Sequence, residues 1–406
     1  MKKIIVQKYG GTSVGTPERI KNIAKRIISF KKKGYNMVVV VSAMGDSTDD
    51  LIALSKKINP SPPPREYDAL LATGEKVSAA LTAMAIESFG YKACSLTGAQ
   101  AGILTETVHS KAKILNVNQK RILKELSDGK IVIVTGFQGV TPDEDITTIG
   151  RGGSDTSAVV LAAALKADVC EIFTDVDGVY TTDPRLIKQA KKVPVISYDE
   201  MLEMASLGAK VLHPRAVETA KINNITLHVR SSFNLKKGTY VKEARSMEKF
   251  KPVTGIAFNE DEAKVTIQGV PDKPGYAAKI FSALADKAIN VDMIIQSELP
   301  ISNKNDITFT VSHADINKTL QITQKIVKEI KADKVVHNKN VAKISIIGVG
   351  MISTPGIAAK MFSALGKEKI NIELITTSEI KISCVIRKNQ LKKAVSALHK
   401  IFNLHK

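Results

Sequence analysis

The chain has 406 residues, which is too long for one ordinary hydrophobic core and indicates two or three domains. Its residues are 44% hydrophobic and 24% charged, a balance typical of soluble globular proteins. The formal net charge of +19 would suit nucleic acid, a membrane surface or acidic small molecules. The lysines are scattered and lack interleaved aromatic residues, so no nucleic-acid partner is expected.

The first predicted strand ends at a glycine-rich turn. Residues 3–8 have the pattern of a short buried strand, and Gly10 and Gly11 follow it closely. Lys8, at the end of this strand, could reach phosphates that lie over the two glycines. The turn is not a Walker loop, because the Gly-Lys-Ser/Thr ending is missing.

A helix, a second strand and a connector come next. Thr16 and Pro17 are typical of an N-cap and of a first helical residue. Residues 37–41 predict a strand, which ends in a polar stretch at residues 42–48. Residues 59–64 include four prolines and predict an extended connector.

A helix predicted at residues 66–88 carries a glycine and a carboxylate inside an apolar pattern. Gly74 costs about 1 kcal/mol relative to alanine within a helix, so a close approach of another backbone would explain it. Glu75 could be a buried functional carboxylate, or it could pair with a neighbour on the helix surface.

A strand at residues 131–135 precedes the densest chemistry of the chain. Residues 147–158 form a glycine-rich loop that leads into an apolar helix at residues 159–167. Unpaired N–H groups and the positive end of the helix dipole favour an anion there, and Arg151 can bind a carboxylate or phosphate through two N–H groups. The alternative is a tight turn at Gly152 beside a surface cation.

Residues 169–174 predict another strand, and a polar loop follows at residues 175–185. Strands with polar or glycine-rich ends that alternate with helices predict a parallel, helix-covered sheet with a ligand along its carboxyl edge. Lys210, after a helix predicted at residues 198–208, could be a second phosphate cation or a surface lysine. A strand at residues 227–231 closes this region, and the charged residues 234–251 predict the domain boundary.

The remainder of the chain contains an internal repeat. Its matching segments are residues 263–270 with 342–349, 274–279 with 355–360, and 289–292 with 370–373. Each copy predicts a ferredoxin-like β-α-β-β-α-β module, but the second copy is one strand short. Strand-like residues 253–258 have no counterpart in the repeat, and we expect them to complete the second copy.

The cysteines and the apolar segments bear on location. Cys94, Cys170 and Cys384 are far apart in apolar contexts, which predicts reduced thiols in a cytoplasmic protein. They and the seven histidines show no metal-ligand spacing. The apolar run near the start is too short for a signal peptide, and no membrane span is expected.

Six motifs in this order resemble those of the aspartokinase family, namely residues 8–13, 42–45, 74–75, 151–155, 174–180 and 183–185. The repeat is similar to a pair of ACT domains, so the resemblance covers essentially the whole chain. It implies an α/β fold, with an amino-acid-kinase parallel-sheet sandwich at residues 1–245 and two ferredoxin-like ACT units at residues 263–340 and 341–406. Residues 252–259 would complete the second unit. No fused homoserine dehydrogenase follows, which is typical of the monofunctional class.

The resemblance also implies roles for single residues. The ATP phosphates would be held by Lys8, Gly10, Gly11 and Lys210, and the rest of the nucleotide pocket formed by Thr174, Asp175, Tyr180 and Arg185. The aspartate side would consist of Ser42, Thr48, Glu75, Arg151, Gly152 and Ser154. Lys8 and Asp155 would be catalytic, with Asp155 orienting Lys8.

The implied reaction transfers a phosphoryl group from ATP with Mg²⁺ to the side-chain carboxylate of L-aspartate, the first step towards lysine, threonine and methionine. No general base is needed, because a carboxyl group with a pKa of about 3.9 is ionised at neutral pH. The site must instead supply in-line positioning and positive charge. Arg151 would bind the α-carboxylate and Glu75 the α-amino group.

Regulation would follow from the ACT units, which commonly pair and bind amino acids between them. Lysine and/or threonine would be the effector, and the chain would form a homo-oligomer through these units. A separately translated regulatory subunit could start at Met247. The effector site would comprise Asp272, Asn290, Val291 and Gln296, with Asn371 and Ile372 from a facing second copy. Alternatively, Asp272 is only a helix cap.

The sequence leaves three rival interpretations open. Another amino-acid kinase, such as one acting on glutamate, would carry a similar fold. A catalytically inactive amino-acid sensor is opposed by the intact Lys8, Arg151 and Asp155. A basic nucleic-acid binder would require salt-sensitive binding to DNA.

Overall fold

The structure, a computed structural model, describes residues 3–209, 211–243, 251–299 and 303–406. The chain folds into two compact units. The N-terminal unit comprises Met1–Tyr180, Lys192–Ser206 and Lys210–Ser246. The C-terminal unit comprises Thr181–Lys191, Leu207–Ala209 and Met247–Lys406. Two short segments that lie before residue 210 therefore belong to the C-terminal unit.

The N-terminal unit is built from alternating strands and helices. Its strands are β1 (Ile4–Tyr9), β2 (Asn36–Val41), β3 (Ala93–Leu96), β4 (Ile103–Thr105), β5 (Ile114–Val117), β6 (Ile131–Thr135), β7 (Gln138–Val140), β8 (Ile146–Thr148), β9 (Val169–Thr174), β10 (Val195–Ile196), β11 (Leu227–Ser231) and β12 (Thr239–Val241). Its helices are α1 (Pro17–Lys32), α2 (Ser47–Ile58), α3 (Pro64–Leu71), α4 (Thr73–Glu87), α5 (Lys120–Ser127), α6 (Gly153–Ala164), α7 (Tyr198–Ser206) and α8 (Pro214–Ile222).

The main sheet has eight strands in the order β10-β12-β11-β9-β1-β2-β6-β3. The six strands from β11 to β3 run parallel, which confirms the predicted parallel sheet. Their residues are mostly buried because helices cover both faces, as expected for a parallel sheet. A small sheet of order β5-β4-β7-β8 adjoins the entry to α6.

Several predicted elements need correction. The helix predicted at residues 66–88 is two helices, α3 and α4, which are separated at Ala72. The helix predicted at residues 159–167 begins six residues earlier, at Gly153. The charged stretch 234–251 contains β12, which pairs with β11 inside the main sheet. The expected Thr16 cap of α1 is confirmed, because its hydroxyl accepts a hydrogen bond from Arg19 N.

The C-terminal unit contains one six-stranded antiparallel sheet of order β14-β15-β13-β16-β18-β17. Its strands are β13 (Gly255–Pro271), β14 (Ile294–Leu299), β15 (Lys304–Val311), β16 (Lys334–Ile347), β17 (Ile372–Thr377) and β18 (Lys381–Arg387). Its helices are α9 (Tyr276–Ala285), α10 (Ile316–Ile330), α11 (Ile357–Lys367) and α12 (Leu391–Ile401).

Two long strands, β13 and β16, each run through both copies of the repeat. Gly255 to Asn259, at the start of β13, pair with Ile347 to Lys343 in the second copy. The later part of β13 pairs with β15 and with the first part of β16, inside the first copy. The segment at residues 253–258 therefore extends the sheet of the second copy.

One stretch departs from the expectation that nothing could span a membrane. Pro64–Glu87 counts 24 residues and by length and composition alone could cross a bilayer. Half of its most apolar window is buried inside the protein, as in a core helix.

Candidate active site

A glycine-rich loop leads into α6 and sets the position of its first turn. Gly152 is the N-cap of α6 and has φ of 73°, a left-handed conformation that favours glycine. A Cβ atom at Gly152 would also overlap the imidazole ring of His213. Gly153 N donates a hydrogen bond to Gly150 O at 2.9 Å, which closes the turn. Ser154 and Asp155 are thus held in the buried first turn of the helix.

An ion pair lies where α6 meets β1. Lys8 Nζ is 2.6 Å from Asp155 Oδ1, and both side chains are only 12% exposed. A Cβ atom at Gly10 would lie 3.4 Å from Lys8 Nζ, so this glycine leaves room beside the ammonium group. The arrangement holds a cation at the carboxyl end of a central strand, as the sequence predicted.

Glu75 is a buried carboxylate and not a surface partner. It lies in the first turn of α4 and is 3% exposed. Its Oε1 accepts a hydrogen bond from Ala43 N at 3.2 Å, whereas its Oε2 is buried without a hydrogen-bond partner in the described part of the chain. Burial raises the pKa of Glu75 to about 7, although the Ala43 N–H acts in the opposite direction.

The glycine before Glu75 explains how the carboxylate reaches its position. A Cβ atom at Gly74 would lie 2.9 Å from the Cβ of Ala43. The predicted approach of another backbone is not what the structure shows, because the nearest atom belongs to the side chain of Ala43, which follows β2 and packs closely against α4.

These elements enclose a cleft of about 290 Å³. Its lining residues are Lys8, Gly11, Ser42, Ala43, Gly45, Thr48, Glu75, Phe137, Gly152, Gly153, Ser154 and Asp155. The structure thus brings together most of the predicted phosphate and aspartate residues. Arg151 is exposed and does not belong to the lining.

The predicted nucleotide residues begin at the carboxyl end of β9. Thr174 Oγ1 donates a hydrogen bond to Asp175 Oδ1 at 3.0 Å, and Ser232 N donates to Thr174 O at 2.9 Å. Tyr180 forms an isolated bridge with Lys192. These residues belong to the N-terminal unit but do not line the cleft.

Two predicted nucleotide residues cannot be placed with the others. Arg185 belongs to the C-terminal unit, where its guanidinium contacts Asp183 at 2.7 Å and 86% of its side chain is exposed. Hydrogen bonds from Arg185 hold the pKa of Asp183 below its usual value. Lys210 lies outside the described residues.

Sequence reasoning missed the residues that fasten the glycine-rich loop. Asp68 is fully buried and accepts hydrogen bonds from Thr148 N and Ser110 N, each at 2.8 Å. Arg215 donates to Ile149 O at 2.7 Å. No local pattern marks these contacts, because their partners are at least 42 residues away.

His213 and Phe137 were also missed. His213 Nδ1 accepts a hydrogen bond from Arg215 N, which caps α8, and burial lowers the pKa of His213. Phe137 lines the cleft and has a positive φ of 67°. The sequence did contain a signal for Phe137, because this residue lies between Gly136 and Gly139 in the glycine-rich segment that follows a predicted strand.

The predicted effector residues lie in the C-terminal unit. Asp272 Oδ1 accepts a hydrogen bond from Asn305 Nδ2 at 3.1 Å, and Gln296 lies in β14. The N-cap of α9 is Gly275, which has no side-chain cap, so the alternative that Asp272 caps this helix is wrong. Asn290 and Val291 precede β14, Asn371 immediately precedes β17, and Ile372 is the first residue of β17.

Comparison with known proteins gives consistent results. Residues 3–231 match the amino acid kinase family, and residues 265–325 and 344–402 match the ACT domain. The chain is 51% identical over 406 residues to an aspartokinase of Mycolicibacterium smegmatis, which covers 99% of this chain and 96% of the relative.

Two solved structures of E. coli aspartokinase III are similar over nearly the full length. The complex with aspartate and ADP (R-state) has a TM-score of 0.82 at 25% identity and covers 98% of this chain and 99% of that one. The complex with lysine and aspartate (T-state) has a TM-score of 0.78 at 25% identity and covers 99% and 100%.

Proposed function

Because the chain belongs to the aspartokinase family, we propose that it transfers the γ-phosphoryl group of ATP to the side-chain carboxylate of L-aspartate. The product would be 4-phospho-L-aspartate, the first intermediate towards lysine, threonine and methionine. The observation that carries the proposal is the cleft that joins the Lys8–Asp155 pair to Glu75 Oε2, which has no hydrogen-bond partner among the described residues. The reaction would take place in the cytoplasm.

The cleft suits an acceptor that is already an anion. An aspartate side chain with a pKa of about 3.9 needs no base, so the protein has to position it and stabilise charge. Lys8 would face the transferred phosphoryl oxygens, and Asp155 would hold the ammonium group in place at 2.6 Å. A buried ammonium group at Nζ is worth more there than in water, because the surrounding dielectric is lower.

Glu75 is suited to recognise the α-amino group of the substrate. Its Oε2 has no hydrogen-bond partner in the described part of the chain, and an unpaired buried carboxylate is costly. A bound ammonium group would supply the missing partner and would lower the pKa of Glu75 again. Ser42, Thr48, Gly152 and Ser154 line the same cleft and would contact the rest of the amino acid.

Two further contacts belong to the proposal. Arg151 would have to turn towards the cleft to bind the α-carboxylate, since its side chain is exposed here. Gly10, Gly11 and Lys210 would hold the ATP phosphates, and Thr174, Asp175, Tyr180 and Arg185 the nucleoside. An ADP complex of E. coli aspartokinase III supports ATP as the phosphoryl donor.

We place Mg²⁺ on the phosphates of ATP. The described residues contain no group of three His, Cys, Asp or Glu side chains that could hold a metal ion by themselves. When bound, the ion would neutralise charge on the transferred phosphoryl group.

Regulation is the second part of the proposal. The E. coli aspartokinase III complex with lysine supports an end-product amino acid as effector, lysine or threonine here. The effector would bind through Asp272, Asn290, Val291 and Gln296, with Asn371 and Ile372 from a facing copy in a homo-oligomer. A regulatory subunit that starts at Met247 would fit the same scheme, but this residue lies outside the described residues.

The proposed functional division is a kinase domain at residues 1–245 and ACT units at residues 263–340 and 341–406. Residues 252–259 would belong to the second ACT unit, next to Lys343 to Ile347.

The test is an assay of the purified chain with MgATP and one acceptor at a time: L-aspartate, L-glutamate or succinate. Acyl phosphate is trapped as the hydroxamate and ADP is measured in parallel. We expect turnover with L-aspartate to be far higher than turnover with either of the other acceptors. Turnover with glutamate that equals or exceeds that with aspartate would overturn the assignment. Glu75→Gln should reduce the difference in turnover between aspartate and succinate, since succinate lacks the amino group that Glu75 would bind.

A further inference from the structure

Phe137 has a backbone conformation that a bulky residue rarely adopts. Its φ of 67° lies in the left-handed region, where an aromatic side chain is an outlier. Hydrogen bonds fix the backbone on both sides, from Gly136 N to Val41 O at 2.9 Å and from Ile149 N to Phe137 O at 2.8 Å. Such conformations persist only where the surroundings impose them, and they cluster at functional sites.

The Phe137 ring is seated against the first turn of α6. A Cβ atom at Gly153 would lie 2.9 Å from Phe137 Cδ2, and a Cβ atom at Gly136 would lie 2.6 Å from Ser154 Oγ. Gly153 thus leaves room for the ring of Phe137, and Gly136 leaves room for the side chain of Ser154. This reciprocal fit fixes the ring relative to Ser154 and Asp155, both of which line the cleft.

The ring is also the large apolar surface of the cleft. The other lining residues in the described part of the chain are glycine, alanine, hydroxyl residues and the charged Lys8, Glu75 and Asp155. Glycine and alanine cannot fill a volume as a phenyl ring does. Among the lining residues in the described part of the chain, Phe137 is therefore the one large apolar side chain that can limit the acceptor space.

We propose that Phe137 is a specificity-determining residue, whose ring limits the length of the acceptor amino acid to the four-carbon acid and excludes the five-carbon homologue. The inference rests on the proposed function of the cleft. One methylene group more or less in a snug pocket changes kcat/KM by roughly 10–200-fold. The left-handed backbone would then be retained because it aims the ring at the α6 turn.

The experiment compares kcat/KM for L-aspartate and L-glutamate in the wild type, Phe137→Leu and Phe137→Ala. Phe30→Leu, a partly buried aromatic on α1 that packs against the core away from the cleft, is the matched control. We expect the aspartate-to-glutamate ratio to fall about 10-fold or more in Phe137→Ala, and less in Phe137→Leu. Phe30→Leu should keep the wild-type ratio.

Phe137→Gly is included in case Phe137→Ala or Phe137→Leu fails to fold. Glycine adopts a φ of 67° without strain, so this variant removes the ring while it suits the backbone. Melting temperature is measured for every variant. A folded Phe137→Gly with a lowered ratio would support the proposal.

Two outcomes would count against it in different ways. An unchanged ratio, or equal loss of activity towards both acids in folded variants, would overturn the role of Phe137 and leave the aspartate kinase assignment intact. A wild type that does not phosphorylate aspartate would overturn the proposed function, and with it this inference.

Discussion

The ammonium group of Lys343 lies 3.0 Å from the carboxylate of Glu262, and each of these side chains is only 4% exposed. Lys343 also contacts Asp292 of the first copy of the repeat. At the equivalent position of the first copy, Lys264 contacts Glu373 of the second. Lys343 of the second copy thus pairs with Asp292, the last residue of segment 289–292 in the first copy. Lys264 of the first copy pairs with Glu373, the last residue of segment 370–373 in the second copy. The two copies are joined by reciprocal ion pairs that follow the internal repeat.

We expect Lys343→Met to destabilise the C-terminal unit by about 3–5 kcal/mol, because it leaves the buried Glu262 carboxylate without its cation. Lys264→Met is the control, since Lys264 is 23% exposed and its loss should cost less. Denaturant unfolding measures both. The double variant Lys343→Met/Glu262→Gln should recover much of the loss, and a double variant as unstable as Lys343→Met alone would contradict the explanation.

Lys8→Ala and Asp155→Ala should each lower kcat on the order of 10²-fold or more, the scale for removing one preorganised charge from a transition state. Lys3→Ala removes a lysine that is 72% exposed, and it should leave kcat unchanged. Steady-state kinetics with saturating MgATP and aspartate give the comparison. If Lys8→Ala kept wild-type turnover, the assignment of Lys8 to the phosphoryl group would be wrong.

The raised pKa of Glu75 predicts a pH-dependent stability. Because its pKa is about 7 when folded and about 4.3 when unfolded, the folded state binds more protons between these values. The stability contribution is complete below about pH 4.3 and is lost as the pH rises through 7, on the order of 3 kcal/mol in total.

Glu75→Gln should remove this contribution. Its free energy of unfolding, relative to the wild type, should therefore rise between pH 5 and pH 8 in the absence of substrate. Denaturant titrations at the two pH values measure the change. Parallel pH profiles for the two proteins would show that Glu75 titrates normally. Bound aspartate should flatten the wild-type profile, since its ammonium group stabilises the ionised carboxylate.

Arg151→Lys should raise the KM for aspartate and change kcat little, because a point charge cannot replace the two parallel N–H donors of a guanidinium. Initial rates over a range of aspartate concentrations separate the two constants. Arg65→Lys, an exposed arginine that pairs with Asp145, serves as the control. A lower kcat with an unchanged KM would assign Arg151 to the phosphoryl group instead.

Asp272→Ala and Gln296→Ala should desensitise the enzyme to lysine or threonine and leave the uninhibited turnover nearly unchanged. Allosteric effectors typically act through a differential free energy of about 1–3 kcal/mol, so the inhibition curve should shift roughly 5–150-fold. Curves with lysine, threonine and both together test this. Ser353→Ala, at the matching position of the second copy, is the control. Inhibition curves that overlay the wild type would place the effector elsewhere.

Elements that bury continuous apolar runs could be predicted closely from the sequence. The strand at residues 131–135 has the predicted bounds, because its run of β-branched residues is typical of a buried parallel strand. The Thr16 cap is equally local, since donor and acceptor are three residues apart. Lys8 could be placed for a related reason, since it lies near the carboxyl end of a parallel strand, whereas Glu75 and Asp155 reach it from the first turns of α4 and α6.

Contacts between distant parts of the chain could not be predicted in this way. The break between α3 and α4 falls at Ala72, where no glycine or proline marks it, and Gly74 just after the break packs against Ala43, 31 residues earlier in the chain. Likewise, Ile187 follows the predicted nucleotide motif but packs in the core of the C-terminal unit. Thr181 shares a hydrogen bond with His399, 218 residues away. Neither position carries a local pattern that points to its partner.

The shared strands β13 and β16 restrict how this chain can be divided or recombined. A chimaera that exchanged one copy of the repeat with a relative at residue 263 or 341 would join foreign sequence in the middle of a continuous strand. A fragment that began at residue 263 would strip Gly255 to Asn259 from the sheet and leave one edge of β16 open to pairing with other chains. The two copies of the repeat can therefore be exchanged only together, as one unit, and the fusion point has to lie before Gly255.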